Sequence, residues 1–245
     1  IYEHELTIPW DLGSARRTDP KYYTLVTSPS SVGFGTDGTK MYVLNSDTGL
    51  ILEHETTDPS VTYDVRTMGY LGITTTTVAT TNTKDFGFNN DGTKLYTLEI
   101  STDSIHERTL TYPGNIRVST GATSYSFAGD GLTNPVGFEF KPDGTILYVT
   151  DNAADRVYQY AVTTPYAVDT ISGLTTSFDL SSQAPESRTT RFNDDGTRMY
   201  VLNRNAAAPW NNNIVYQYEL STAWSVDTAT YNGHFFNVTN QAIDP

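Results

Sequence analysis

Short apolar runs separated by polar turns organise this chain, and no helical period is sustained anywhere along it. Met41-Tyr42-Val43-Leu44, Leu95-Tyr96, Leu147-Tyr148-Val149 and Met199-Tyr200-Val201-Leu202 each follow an Asp-Gly-Thr triplet and run into a polar loop. A phenylalanine precedes each triplet, at Phe34, Phe88, Phe140 and Phe192. An apolar entry, a tight Asp-Gly turn and an apolar exit predict two antiparallel strands, A and B. Beyond the polar loop comes an alternating segment: Ile51-Leu-Glu-His54, Ile105-His-Glu-Arg108, Val157-Tyr-Gln-Tyr160 and Val215-Tyr-Gln-Tyr218. This predicts strand C. A turn such as Thr164-Pro165-Tyr166 or Thr222-Ala223-Trp224 then leads to a fourth strand, D, read at Thr176–Leu180 and His234–Val238.

The triplet aspartates Asp37, Asp91, Asp143 and Asp195 are separated by 54, 52 and 52 residues, a period that marks a repeat architecture. Four short antiparallel strands per roughly fifty residues define a propeller blade, which cannot bury both faces alone and therefore stacks on its neighbours. The expected fold is an all-β propeller occupying 1–245 as a single domain. It divides into a half blade over 1–31 and blades over 32–84, 85–135, 136–187 and 188–245. Ile1–Leu6 matches strand C and Trp10 matches Trp224, so the chain enters in mid-blade. Asn240–Pro245 matches Asp130–Pro135, which in its own repeat leads into strand A. Strands A and B of the first blade are expected in missing upstream sequence, with supply by another chain as the alternative. The complete ring then has five blades or more.

Composition narrows the function classes. Net charge is −13, so the summed field repels phosphate backbones and argues against a nucleic-acid partner. The longest apolar runs are a few residues, against the roughly 20 of a membrane-spanning helix, and no membrane insertion is expected. Cysteine is absent, which removes disulfides and thiolate chemistry and leaves the compartment open. Asn237-Val-Thr239 is a formal glycosylation sequon.

The turn residues Asp37-Gly38, Asp91-Gly92, Asp143-Gly144 and Asp195-Gly196 read as structural. Aspartate closes an Asx-type hydrogen bond, glycine accepts positive φ, and no second carboxylate stands at calcium-loop offsets. Glu3, Glu53, Glu107, Gln159 and Gln217 share one strand C position, read as a solvated or interblade hydrogen-bonding site rather than a ligand-facing ring. His4, His54, His106 and His234 fall in different blades, and no metal site or cofactor is expected. No nucleophile elbow and no phosphate-cradling glycine loop occurs.

One irregularity points to ligand binding. The connection from Asn203 through Arg204 to Trp210-Asn211-Asn212-Asn213 is longer than its counterparts. An indole covers apolar sugar CH groups while amides bond hydroxyls, although packing of Trp210 against the next blade accounts for it as well. In propellers the B–C and D–A loops share one face, where ligands usually bind. The candidate ligand-binding residues there are Trp210, Asn211, Asn212, Asn203 and Arg204, with Asp151 and Asn152 from the neighbouring blade. No catalytic residue is assigned.

The string Phe-x-x-Asp-Gly-Thr-Lys-Met-Tyr-Val, followed by Val-Tyr-Gln-Tyr-x-Leu-Ser-Thr-x-Trp-x-Val, resembles a propeller repeat of predicted proteins from marine bacteria and their phages. It is more distantly similar to the Tyr-Val-Thr-Asn and WD-type propellers. The resemblance covers essentially the whole chain and is best over 192–231, while blade 32–84 departs from it after His54. It implies an extracellular or virion-associated binding or structural module with a protein or glycan surface as partner. Because propellers also host hydrolases, the alternative is a lactonase-like or glycosidase-like enzyme with a site at the central funnel.

Overall fold

The computed structural model describes residues 2–15, 21–22, 28–75, 80–205 and 212–239. Among the described residues the chain is all-β, with eighteen strands, numbered in chain order, and four single-turn 3-10 segments. Four sheets have four antiparallel strands each, β3–β6, β7–β10, β11–β14 and β15–β18, with every strand beside its chain neighbour. These are four blades of a β-propeller. A fifth, two-stranded sheet pairs β1 (Tyr2–Glu3) with β2 (Lys21–Tyr22). The A strands β3 (Pro29–Phe34), β7 (Thr83–Phe88), β11 (Pro135–Phe140) and β15 (Ser187–Phe192) begin one to three residues before the limits read from the repeat. The D strands also start early, at Ile171 and Ala229, because a 3-10 turn feeds directly into each.

The chain divides into two compact units. One comprises 1–3 and 19–127, the other 4–18 and 128–245. In the first, Tyr42, Leu44 and Ile51 of one blade pack against Phe86, Leu95, Leu110 and Ile116 of the next. Met41 and Val43 pack on the opposite face of the same sheet with Val65 and Met68. Strand B is therefore buried on both faces, which explains its unbroken apolar run. The second unit repeats this arrangement, with Tyr148 and Val157 packed against Phe192, Met199, Val201 and Tyr218.

The shared strand C position ties one blade to the next. Gln159 Oε1 accepts the Val226 N–H at 3.1 Å, and Gln217 Oε1 accepts the Leu12 N–H at 3.2 Å. In the first unit Glu3 Oε2 accepts the Val65 N–H at 3.5 Å, and buried Glu53 lies 2.5 Å from Lys40 Nζ and 3.9 Å from Arg117 Nε. Strand B tyrosines add a second tie. Tyr42 Oη donates to the Gly114 carbonyl at 2.6 Å, Tyr148 Oη to the Trp224 carbonyl at 2.7 Å, and Tyr200 Oη to the Trp10 carbonyl.

The Asp-Gly-Thr turns close as the residue types require. Asp Oδ1 accepts from both the N–H and the hydroxyl of the following threonine in all four, and the glycines have φ between 68° and 73°. Those bonds hold the carboxyls of Asp37, Asp91 and Asp195 below the usual range. Burial pushes Asp143 up, but bonds from Lys141 and Thr145 outweigh it and bring it to about 2. A depressed folded-state pKa contributes stability above the unfolded value, lost as pH falls through the folded one. The urea midpoint is therefore expected to fall from pH 4 to pH 2, and Asp143→Asn to flatten that fall. An unchanged profile in the variant would remove Asp143 from the acid response.

Candidate functional site

The second unit gathers the B–C connection of β12–β13, the D–A connection before β15 and the start of the β16–β17 connection at one end of its two sheets. Asp151 closes β12 (Ile146–Asp151) and is fully buried. Its Oδ2 accepts the N–H groups of Thr133 and Asn134 at 2.7 and 2.9 Å, and its Oδ1 those of Ala153 and Ala154 at 2.8 and 2.9 Å. Four backbone donors engage this carboxylate, which fastens the preceding D–A loop to its own B–C turn. Asn203, at the equivalent place in β16, accepts the Glu186 N–H at 2.8 Å, and the Arg204 N–H donates to the Glu186 carbonyl at 2.9 Å. Asn152 donates from Nδ2 to the Ser187 carbonyl at 3.1 Å. The structure thus brings Asn152, Asn203 and Arg204 together around the loop carrying Glu186, while Asp151, next to Asn152 in the chain, holds the loop before β11. Trp210 and Asn211 lie outside the described residues, and Asn212 is described only by its backbone in β17.

The long connection has a structural basis. β16 (Arg198–Asn205) and β17 (Asn212–Leu220) are longer than their counterparts β12 and β13 (Arg156–Val162). Their ladder runs two pairs past the Asn203↔Ile214 rung, through Arg204↔Asn213 to Asn205↔Asn212. The insertion is a two-stranded ribbon continuing the blade, and the sequence places Ala-Ala-Ala-Pro-Trp210-Asn211 between its strands. Asn213 is buried, and its N–H donates to Thr239 Oγ1 at 2.9 Å, anchoring the base of the ribbon.

Sequence reasoning missed Asp155, Glu186 and Arg188 at this end. Asp155 ends the B–C turn with φ of 50°, where the first blade has Gly49 and the second Asp103. Burial pushes its carboxyl up, and Glu186, Asp179 and Asp151 push it further. A carboxyl raised by burial among like charges is the kind of group that general acid–base chemistry uses. Arg188 sits 3.8 Å from Glu186, on the bulge between Ser187 and Thr189. Every A strand has this bulge, after Pro29, Thr83, Pro135 and Ser187, which brings Ser30, Lys84, Val136 and Arg188 to one position. The signal for Asp155 was its alignment with Gly49, which requires a left-handed backbone; nothing in the sequence marks the bulge.

The histidines are dispersed. His106 Nε2 is 3.3 Å from Glu99, His234 Nδ1 is 3.5 Å from Asp11, His4 meets Phe236 edge-on, and His54 lies against Tyr70. Burial holds His54 below the ordinary histidine range. Among the described residues no three metal-ligating side chains converge.

No family model and no curated relative matches the sequence. Solved structures match the fold at low identity. A candidate 6-phosphogluconolactonase from Bacteroides uniformis aligns at 11% identity and TM-score 0.54, over 96% of this chain and 64% of its own. A second, from Bacteroides fragilis, aligns at 15% and 0.53, over 84% and 54%. A protein from Lactobacillus plantarum aligns at 12% and 0.55, over 89% and 60%. This chain thus spans less than two thirds of these three neighbours, and the likeness is one of propeller fold.

Proposed function

We propose that the protein is a noncatalytic propeller scaffold that binds a protein or glycan surface through the loop end of the second unit, in an extracellular or virion-associated setting. The observation that carries this reading is the β16–β17 ribbon, extended by two residue pairs beside a network whose other polar groups are engaged in holding loops. A rigid base of backbone-bonded Asp151 and Asn203 under a polar, tryptophan-bearing extension suits recognition more than turnover. The net charge of −13 turns the module away from anionic partners. A glycan and protein array probed with the intact chain and with Trp210→Ala is expected to show binding that falls at least tenfold in the variant. Equal binding would remove the ribbon from the reading.

Asp155 favours a second reading, a lactonase-like hydrolase. Its carboxyl is raised by burial and by neighbouring carboxylates, and two neighbours of like fold are candidate 6-phosphogluconolactonases. Hydrolysis of 6-phosphogluconolactone that disappears in Asp155→Asn would replace the binding reading with this one.

A further inference from the structure

In each complete blade two backbone bonds tie the segment after strand C to the blade's own A–B turn. Leu220 N–H donates to the Thr197 carbonyl at 2.8 Å and Trp224 N–H to the Gly196 carbonyl at 2.9 Å. Val162 and Tyr166 do the same to Thr145 and Gly144, Leu110 and Gly114 to Thr93 and Gly92, and Thr56 and Tyr63 to Thr39 and Gly38. The corresponding donors in the N-terminal segment are Leu6 and Trp10, four residues apart like Leu220 and Trp224.

This segment already has the shape of an occupied turn. Trp10 has φ of 59°, against 63° and 66° for Tyr166 and Trp224. Leu6 bridges to Ala15 as Leu220 pairs with Ala229, and the Thr7 N–H bonds the Ser14 carbonyl as the Ser221 N–H bonds that of Thr228. The Trp10 carbonyl is held by Tyr200 Oη and by Arg198 at 2.7 Å, and the Leu12 N–H by Gln217. Yet among the described residues no acceptor receives the N–H of Leu6 or of Trp10. Ile8 and Trp10 are both exposed.

We propose that Leu6–Trp10 is a seat for an Asp-Gly-Thr β-hairpin of this chain's own repeat type, whose Thr and Gly carbonyls accept those two N–H groups while its glycine lies under the Trp10 ring. All four Asp-Gly-Thr turns of the chain are engaged in their own blades, so the occupant is a further hairpin of the same chemistry. Glycine is required at the contact because a Cβ on Gly144 or Gly196 would fall inside the Tyr166 or Trp224 ring.

The test appends a copy of the Ser187–Asn203 hairpin to the N-terminus of the full chain through a flexible Gly/Ser linker. Tethering is needed because an isolated two-stranded hairpin is marginal in water, and it raises the effective concentration to roughly millimolar. Amide exchange at Leu6 and Trp10 is expected to slow at least tenfold. It is expected to stay unchanged when the appended copy alone has alanine at its counterpart of Gly196. Exchange unaltered by either hairpin, or slowed equally by both, would overturn the proposal. So would protection that appears only with dimer formation on size-exclusion chromatography, which assigns the seat to a second copy.

Discussion

Gly196→Ala is expected to destabilise the second unit by roughly 3–5 kcal/mol, while Gly92→Ala, at the same turn position, loses only about 1–2 kcal/mol. Both glycines have φ of 70°, so the backbone cost of adding a side chain is the same. The difference lies above the turn. A Cβ on Gly196 would fall within the indole of Trp224, whereas one on Gly92 finds the Gly114 nitrogen at 3.3 Å, because the second blade has glycine where the others have an aromatic residue. The indole cannot step aside freely. The Trp224 backbone is pinned by its N–H, which donates to the Gly196 carbonyl, and by its carbonyl, which accepts from Tyr148 Oη, while Phe192 packs on the ring at 5.6 Å between centroids and Lys141 Nζ lies 6.0 Å from the ring centroid. Urea unfolding at constant m measures both losses. In the double variant Gly196→Ala/Trp224→Gly the effects are expected to fall short of additive by about 1–3 kcal/mol, since removing the ring removes the clash. Equal losses at Gly92 and Gly196 would show that backbone conformation alone requires the glycine.

That contact shows where the sequence stops being legible. The spacing of Asp37, Asp91, Asp143 and Asp195 reveals the blades, and Asp-Gly chemistry reveals the turns, because both follow from local geometry repeated in register. The aromatic cover over the turn runs against local preference. Trp10, Tyr63, Tyr166 and Trp224 all have positive φ, a conformation that disfavours bulky residues, and only tertiary packing holds them there. Strand C alternation likewise gives the face of Gln159 and Gln217 but not their partners, which are N–H groups of a neighbouring segment. At the candidate site, loop length singled out 203–213, but the ribbon was hidden because Arg204 and Asn205 are not typical strand formers. Asp151 read as a ligand-facing carboxylate since nothing local announces its four backbone donors, two of which come from a loop 17 and 18 residues upstream.

Alkaline unfolding is the second large expected effect, and the buried tyrosines set its sign. Burial pushes the phenols of Tyr42, Tyr148 and Tyr218 well above 10, with Glu53 adding to the shift at Tyr42 and Glu139 at Tyr148. A pKa raised in the folded state leaves stability intact below the unfolded value near 10. Above it the unfolded chain releases protons that the native state retains, at about 1.4 kcal/mol per pH unit per tyrosine. Three such groups remove about 4 kcal/mol per unit, enough to consume a stability of roughly 5–15 kcal/mol within a few units. Two single variants separate this linkage from hydrogen bonding. Tyr148 Oη holds the Trp224 carbonyl, so Tyr148→Phe is expected to cost about 1–3 kcal/mol at pH 7. Tyr218 Oη is buried with no hydrogen-bond partner among the described residues, so Tyr218→Phe is expected to gain about 1 kcal/mol at pH 7. Despite opposite effects at neutrality, each removes one proton from the alkaline response, and the slope of stability against pH above 10 is expected to become shallower by about 1.4 kcal/mol per pH unit in both. Urea titrations between pH 7 and 11 decide it, because a variant slope equal to that of the parent chain would mean that its phenol ionises in the folded state as readily as in the unfolded one.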